Sequence, residues 1–255
     1  MPPVVTLLTD FGTADGYVAE MKGVLLSLVP DTDVVDVTHD IPPHDVESGR
    51  LALARYWRRF PAGTVHVAVV DPGVGSARAA IAVRSDDRLL VGPDNGILSP
   101  ALLMRGAVVV ALPVPPPAAP TFHGRDVFAP AAAALAAGAP LESLGEPFGT
   151  PIIRRTPEAR RASDGAIEGE VIAIDRFGNA VTNCLGLRGG TIEVSGSVLP
   201  VARTYADAAS GALLALCGST GLIEIAVRDG SAARELGLSR GSPVRYRPGT
   251  ARSDA

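Results

Sequence analysis

The sequence predicts an α/β protein with an N-terminal, mostly parallel sheet flanked by helices and a smaller C-terminal antiparallel β-barrel-like domain. Three observations carry that prediction. Hydrophobic residues make up 47% of the chain but aromatic ones only 4%, so the core is mainly Val, Leu, Ala and Ile, which suits parallel strands covered by Ala-rich helices. The first seventy residues alternate apolar runs with helical periodicity in the order strand, helix, strand, helix, strand, which argues for parallel strands with right-handed crossovers. Beyond residue 165 the pattern becomes short strands separated by Gly turns. The domains are expected at 1–150 and 164–248, and 255 residues are enough for both.

Val4-Val5-Thr6-Leu7-Leu8-Thr9 reads as a buried first strand. In the helix after it, Tyr17, Met21, Val24, Leu25 and Leu28 fall on one face, and Asp15 is a candidate cap. Residues 33–38 form a second strand. Asp45 is a plausible N-cap for the next helix, which turns Val46, Leu53, Trp57 and Phe60 inward. Residues 64–70 are the third strand. A hairpin around Asp86-Asp87, a Gly92-to-Gly96 turn, a short helix near 97–104 and a strand at 108–112 follow. Pro113 to Pro120 is a stiff polyproline-like connector. An Ala-rich helix spans about 127–137. Composition shifts at 148–165, where Arg154, Arg155, Arg160 and Arg161 read as a solvated basic face. The strands beyond it fall at 167–174, 190–195, 197–203, 212–217, 222–227 and 243–247, and the polar tail after Pro248 is expected to fray.

Charge and cysteine content remove several function classes. A net charge of −4 gives no electrostatic reason to expect nucleic acid or anionic lipid as a partner. No apolar run approaches the ~20 residues of a membrane span. Met1-Pro2-Pro3 lacks the basic segment of a signal peptide, so the expected location is the cytoplasm. Cys184 and Cys217 are too few and too far apart for a disulfide framework or a zinc site.

Five stretches are rich in chemistry. Thr9-Asp10-Phe11-Gly12 to Asp15-Gly16-Tyr17 sets two carboxylates at the turn after the first strand, where open α/β sheets bind small molecules. Its glycines fit neither a dinucleotide fingerprint nor a P-loop. Asp71-Pro72-Gly73-Val74-Gly75-Ser76-Ala77-Arg78 ends the third strand. It can serve either as a tight turn closed by an ion pair or as a site. His123 lies beside Arg125 and Asp126 at a helix start, and an Asp–His–Arg set can hold and activate a water. His66 reads as a packed strand histidine, and His39 and His44 as loop residues. Asp175-Arg176-Phe177-Gly178-Asn179 offers an aromatic face, an amide and a carboxylate, or else a plain β-turn. Cys217-Gly218-Ser219-Thr220-Gly221 offers amides and hydroxyls that suit a carboxylate, or a plain hairpin.

These five stretches, in this order from about Val4 to Tyr246, resemble the S-adenosyl-L-methionine (SAM) hydroxide adenosyltransferases, relatives of the fluorinase and chlorinase. The resemblance implies homotrimers with active sites between the N-terminal domain of one subunit and the C-terminal domain of its neighbour. It implies that Asp10 holds the ribose hydroxyls, that Asp15 and Asp175 lie near the methionine amino group and Ser219 near its carboxylate, and that Phe177 and Asn179 contact adenine. It assigns Asp71, Arg78 and His123 to the triad that marks the water-using enzymes. No metal and no cofactor are implied, SAM being the substrate. Gly124 stands where the halogenases have a serine, and His44, Val181 and Thr220 replace two tryptophans and an arginine of those enzymes.

The implied reaction is attack of water or hydroxide on C5′ of SAM, giving adenosine and L-methionine. The alternatives at this stage are a metal-dependent nucleoside hydrolase using Asp10 and Asp15, a halogenase, and a SAM- or adenosine-binding module without catalysis.

Overall fold

The computed structural model describes residues 2–186 and 189–249; most of the polar tail lies outside them. The chain divides into two compact units, Met1–Arg155 and Thr156–Ala255.

The first unit runs β1 (Val4–Thr9), α1 (Tyr17–Leu28), β2 (Asp33–Thr38), α2 (Val46–Tyr56), β3 (Val65–Val69), β4 (Ala80–Ser85), β5 (Arg88–Pro93), α3 (Ser99–Leu102), β6 (Val108–Leu112), α4 (Ala129–Ala136) and β7 (Glu146–Pro147). Its sheet has the order β2-β1-β3-β5-β4-β6-β7. The pairings β2–β1–β3–β5 are parallel, and those through β4, β6 and β7 are antiparallel. The central strands are apolar on both faces because both faces are covered. Val5, Leu7, Val67 and Val69 pack with Met21, Leu25, Phe128 and Ala132 from α1, α4 and the turn before α4. Leu8, Ala68, Val70 and Ile81 pack with Leu53, Trp57 and Leu98 on the other side.

This order places β1 between β2 and β3, so the chain leaves β1 toward one edge of the sheet and returns on its other side. That reversal opens a crevice at the carboxyl ends of β1 and β3. Asp10 follows β1 and Asp71 follows β3, and Thr9 and Val69 are register partners, so both carboxylates stand at that crevice.

Several local expectations change. Asp15 does not cap α1; Gly16 occupies the cap with φ of 79° and no side-chain bond. The inward stripe of α1 is Val18, Met21 and Leu25, while Tyr17 and Leu28 are 47% and 57% exposed. Tyr17 instead meets Phe122 edge-on, with ring centroids 5.3 Å apart. Asp45 caps α2 as expected, accepting from the Ser48 backbone N–H at 3.0 Å. The Ala-rich helix opens with a π-helical turn, Gly124–Phe128.

The second unit runs β8 (Arg160–Arg161), β9 (Ile167–Ile174), β10 (Ala180–Leu185), β11 (Gly190–Val194), β12 (Ser197–Ala202), β13 (Leu213–Cys217), β14 (Leu222–Val227), α5 (Ala232–Glu235) and β15 (Pro243–Pro248). Seven strands form a closed ring in the order β10-β14-β13-β12-β11-β15-β9, completed by a β9–β10 pairing; β8 adds to β9. Every neighbour is antiparallel except β12–β13. Val171, Ile192, Ile223, Ile225 and Tyr246 fill the interior. The sequence pattern leaves β10 unassigned, because Thr182 and Asn183 interrupt its apolar run. In the structure those polar groups are used. Thr182 Oγ1 donates to the Ile223 carbonyl at 2.8 Å. Where the β9–β10 register slips, Asn183 Oδ1 accepts from the Glu170 N–H at 2.8 Å and Nδ2 donates to the Pro157 carbonyl at 2.9 Å.

Candidate active site

The loop after β3 folds back on itself through small residues. Ser76 N–H and Oγ both donate to the Gly73 carbonyl, at 3.1 and 2.6 Å. Gly75 has φ of 75°, and a Cβ there would lie 2.5 Å from the Pro120 carbonyl oxygen. Only glycine allows that approach, and it sets the end of the proline connector beside the Asp71 loop. Asp126 fixes the connector from the other side, accepting from the Ala119 N–H at 2.8 Å. His123 therefore arrives next to Asp71, although 52 residues separate them in sequence.

Arg78 joins the two. Its Nη2 donates to Asp71 Oδ2 at 2.5 Å and to His123 Nδ1 at 3.1 Å, and its Nη1 donates to the Ala79 carbonyl at 2.9 Å. The guanidinium also sits 5.5 Å from the Phe128 ring centroid. The side chains of Asp71 and Arg78 are 4% and 8% exposed, and His123 is buried. Two polar atoms of the cluster, Asp71 Oδ1 and Arg78 Nε, are buried without a hydrogen-bond partner among the described residues. Unpaired buried polar atoms are costly, so their presence together marks a place built for a polar guest.

The protonation states follow from the contacts. Burial pushes the Asp71 carboxyl above its ordinary value; the Arg78 charge and hydrogen bond oppose that shift without cancelling it. Burial, and then the Arg78 charge, push His123 below its ordinary value, which favours the neutral ring. A guanidinium can only donate. Nδ1 of His123 is therefore the acceptor, and the ring proton sits on Nε2. The set offers one free carboxylate oxygen as acceptor, and Arg78 Nε–H and His123 Nε2–H as donors, an arrangement that suits a water molecule losing a proton.

Asn95, in the Gly92-to-Gly96 turn, holds the strand end that carries Asp71: its Nδ2 donates to the Val70 carbonyl at 2.8 Å. Arg125 and Asp126 do not join the set; they pair with each other, and Arg125 with Glu20. His66 is packed, with Nδ1 2.8 Å from Thr6 Oγ1. Asp10 is half-buried and accepts from the His44 N–H at 2.8 Å. Asp15 is exposed. Among the described residues, no three His, Cys, Asp or Glu are grouped to hold a metal ion.

The second unit gathers the other predicted residues. Asp175 Oδ1 accepts from the backbone N–H groups of Phe177 and Asn179, both at 2.9 Å, and Oδ2 accepts from Asn179 Nδ2 at 2.9 Å. Gly178, at φ of 83°, completes this turn. Phe177 is 74% exposed and, with Asn179 and Tyr205, lines a concavity of about 630 Å³. Ser219 is exposed in the β13–β14 turn. Sequence reasoning missed Tyr205 and Glu224, which meet behind Asn179. The available signal was Glu224 itself, the lone acidic residue in the apolar run Leu222–Val227.

Comparison with known proteins bears on both units. Residues 5–145 match the family model for the SAM hydroxide adenosyltransferase N-terminal domain, and residues 169–245 match that for its C-terminal domain. The chain is 46% identical over 254 residues to the (R)-S-adenosyl-L-methionine hydrolase of Thermus thermophilus, covering 94% of this chain and 98% of that protein. It is 31% identical over 294 residues to the fluorinase of Nocardia brasiliensis, covering 97% of each. An uncharacterised conserved protein from Thermotoga maritima superposes with a TM-score of 0.86 at 31% identity, over 95% of this chain and 99% of that one.

Proposed function

Because the chain belongs to the SAM hydroxide adenosyltransferase family, we propose that it hydrolyses S-adenosyl-L-methionine to adenosine and L-methionine. The observation that carries this reading is the buried Asp71–Arg78–His123 set with its unpaired carboxylate oxygen. The leaving group supports it too. Sulfonium is already cationic, so methionine departs as a neutral thioether and needs no general acid, metal or cofactor. The demand falls on the nucleophile, which must be desolvated, aligned opposite sulfur and relieved of a proton.

In this reading Asp71 Oδ1 takes the proton from water. His123, whose Nδ1 is engaged by Arg78, orients the water through Nε2–H. Arg78 favours developing hydroxide. With Nδ1 of His123 engaged by Arg78, Asp71 rather than His123 accepts the proton in this reading. Asp10 would hold the ribose diol, Phe177 and Asn179 the adenine, and Asp15, Asp175 and Ser219 the methionine head. Asp175 would do so with a carboxylate already engaged in its own turn.

The homotrimer, with sites completed across subunits, and a cytoplasmic location belong to the same reading. The trimer rests on the family resemblance; light scattering of the purified protein tests it. Among the described residues, no helix is long and apolar enough to cross a membrane.

Incubation of SAM with the pure protein, followed by chromatography, tests the reaction. Adenosine and methionine should form in equal amounts, with or without chloride and EDTA. Chloride-dependent 5′-chloro-5′-deoxyadenosine, release of ribose, or tight binding without product would each overturn the proposal.

A further inference from the structure

Behind Asn179 lies a chain of hydrogen bonds whose inner members, Tyr205 and Glu224, have no part in the proposed reaction. Asn179 Nδ2 donates to Asp175 Oδ2 at 2.9 Å and lies 3.4 Å from the Tyr205 hydroxyl oxygen. The Tyr205 hydroxyl donates to Glu224 Oε2 at 3.2 Å. Glu224 is buried on β14. Its Oε1 lies against Gly218, where a Cβ would come within 1.9 Å, so only a glycine there leaves room for the carboxylate.

The direction of every bond in this chain is determined. A carboxylate only accepts, so the amide atom facing Asp175 is nitrogen. The Tyr205 hydroxyl has one hydrogen, and Glu224 takes it. Burial, with the Glu224 and Asp175 charges, pushes the Tyr205 hydroxyl up to about 12, so that hydrogen stays in place at neutral pH. What Tyr205 turns toward Asn179 is therefore a lone pair. A flipped Asn179 amide would set its oxygen against an Asp175 oxygen and a Tyr205 lone pair at once. The amide is locked with Nδ2 inward and Oδ1 outward. Among the described residues Oδ1 has no hydrogen-bond partner, and Asn179 lines the concavity beside the exposed ring of Phe177.

We propose that Tyr205 and Glu224, together with Asp175, are positioning residues that fix Asn179 as an outward acceptor, so that the site selects a 6-aminopurine and rejects its 6-oxo counterpart. An exocyclic amino group meets Oδ1 as a donor. A carbonyl in that position meets it oxygen to oxygen, and both groups go unpaired away from water. The proposal deepens the reading of this site as the adenine pocket and rests on it.

The test uses the full-length protein and titration calorimetry with two probes, adenosine and inosine. Wild type should bind adenosine at least about tenfold more tightly than inosine. Tyr205→Phe removes the lone pair that bars the flipped amide. In Glu224→Gln the new amide can donate, freeing the Tyr205 hydroxyl to turn toward Asn179. Both variants should bring the adenosine-to-inosine ratio down several-fold, and Asp175→Asn combined with Tyr205→Phe should bring it near one. A merely structural role would weaken both nucleosides alike and leave the ratio unchanged, which would overturn the proposal. Equal affinities in wild type would overturn it without any variant. A wild type that makes adenosine from SAM yet binds inosine equally well sinks this inference alone; one that makes no adenosine sinks the reading beneath it.

Discussion

A guanidinium that donates to both a carboxylate and an imidazole decides which of the two can take a proton. Arg78 occupies Nδ1 of His123 and one oxygen of Asp71, leaving Asp71 Oδ1 free. Asp71→Asn should therefore lower the rate of adenosine formation at saturating SAM roughly 10²–10⁴-fold, the usual worth of a general base, with a much smaller change in KM. In wild type the rate should fall on the acid side as Asp71 protonates. It should begin to fall at a higher pH than an ordinary carboxylate would give, because burial raises this one. Rapid-quench or chromatographic rates across pH check both points. His66 makes a separate prediction about stability. Its burial lowers the ring to about 4, against about 6.5 in an unfolded chain. Between those values the unfolded state binds more protons, so stability is whole above pH 6.5 and declines as pH falls toward 4, by up to about 3 kcal/mol. Urea unfolding at pH 7.5 and pH 5 should show the loss, and His66→Asn should flatten it. Asp71, Arg78 and His123 were each visible in the sequence as residue types in suggestive loops. Their meeting was legible only through the family resemblance, since nothing in a 52-residue separation itself reveals that Gly75 lets two loops touch.

Individual elements were legible to the degree that their sequence is an unbroken apolar run or carries a familiar cap. β1, β2 and β3 announce themselves as Val- and Leu-rich runs, and Asp45 caps α2 by ordinary side-chain chemistry. β10 stays hidden because its polar residues face the ladder rather than solvent, a use that depends on β9 and β14 being alongside. The stripe of α1 shifts because an aromatic cluster of Phe11, Tyr17 and Phe122 draws Tyr17 off the sheet. The Asp71 loop offers a prediction at this scale. Gly75→Ala puts a Cβ into both a positive φ and the Pro120 carbonyl, and should cost about 1–3 kcal/mol of stability. It should also slow turnover, because the loop and the connector must part and take Asp71 away from His123. Chemical denaturation and rate measurements on the same preparation test it; an unaffected rate would mean that the close approach is not needed for the site.

At the scale of the whole molecule, two compact units in one chain imply two units of resistance. Ile152 and Arg154 are bonded to Asp94 and Ser99 in the first unit, and Pro157 to Asn183 in the second, while Arg155 is exposed between them. Limited trypsin digestion should cut after Arg155 early and leave two long-lived fragments, read by mass spectrometry. A first cut inside either sheet would contradict the division. The second fragment carries one further consequence. A ring of strands joined through β9 and β10 has no end from which to fray. Deuterium should enter the amides of those two strands at one shared, slow rate, set by opening of the whole barrel rather than by local motion at a margin.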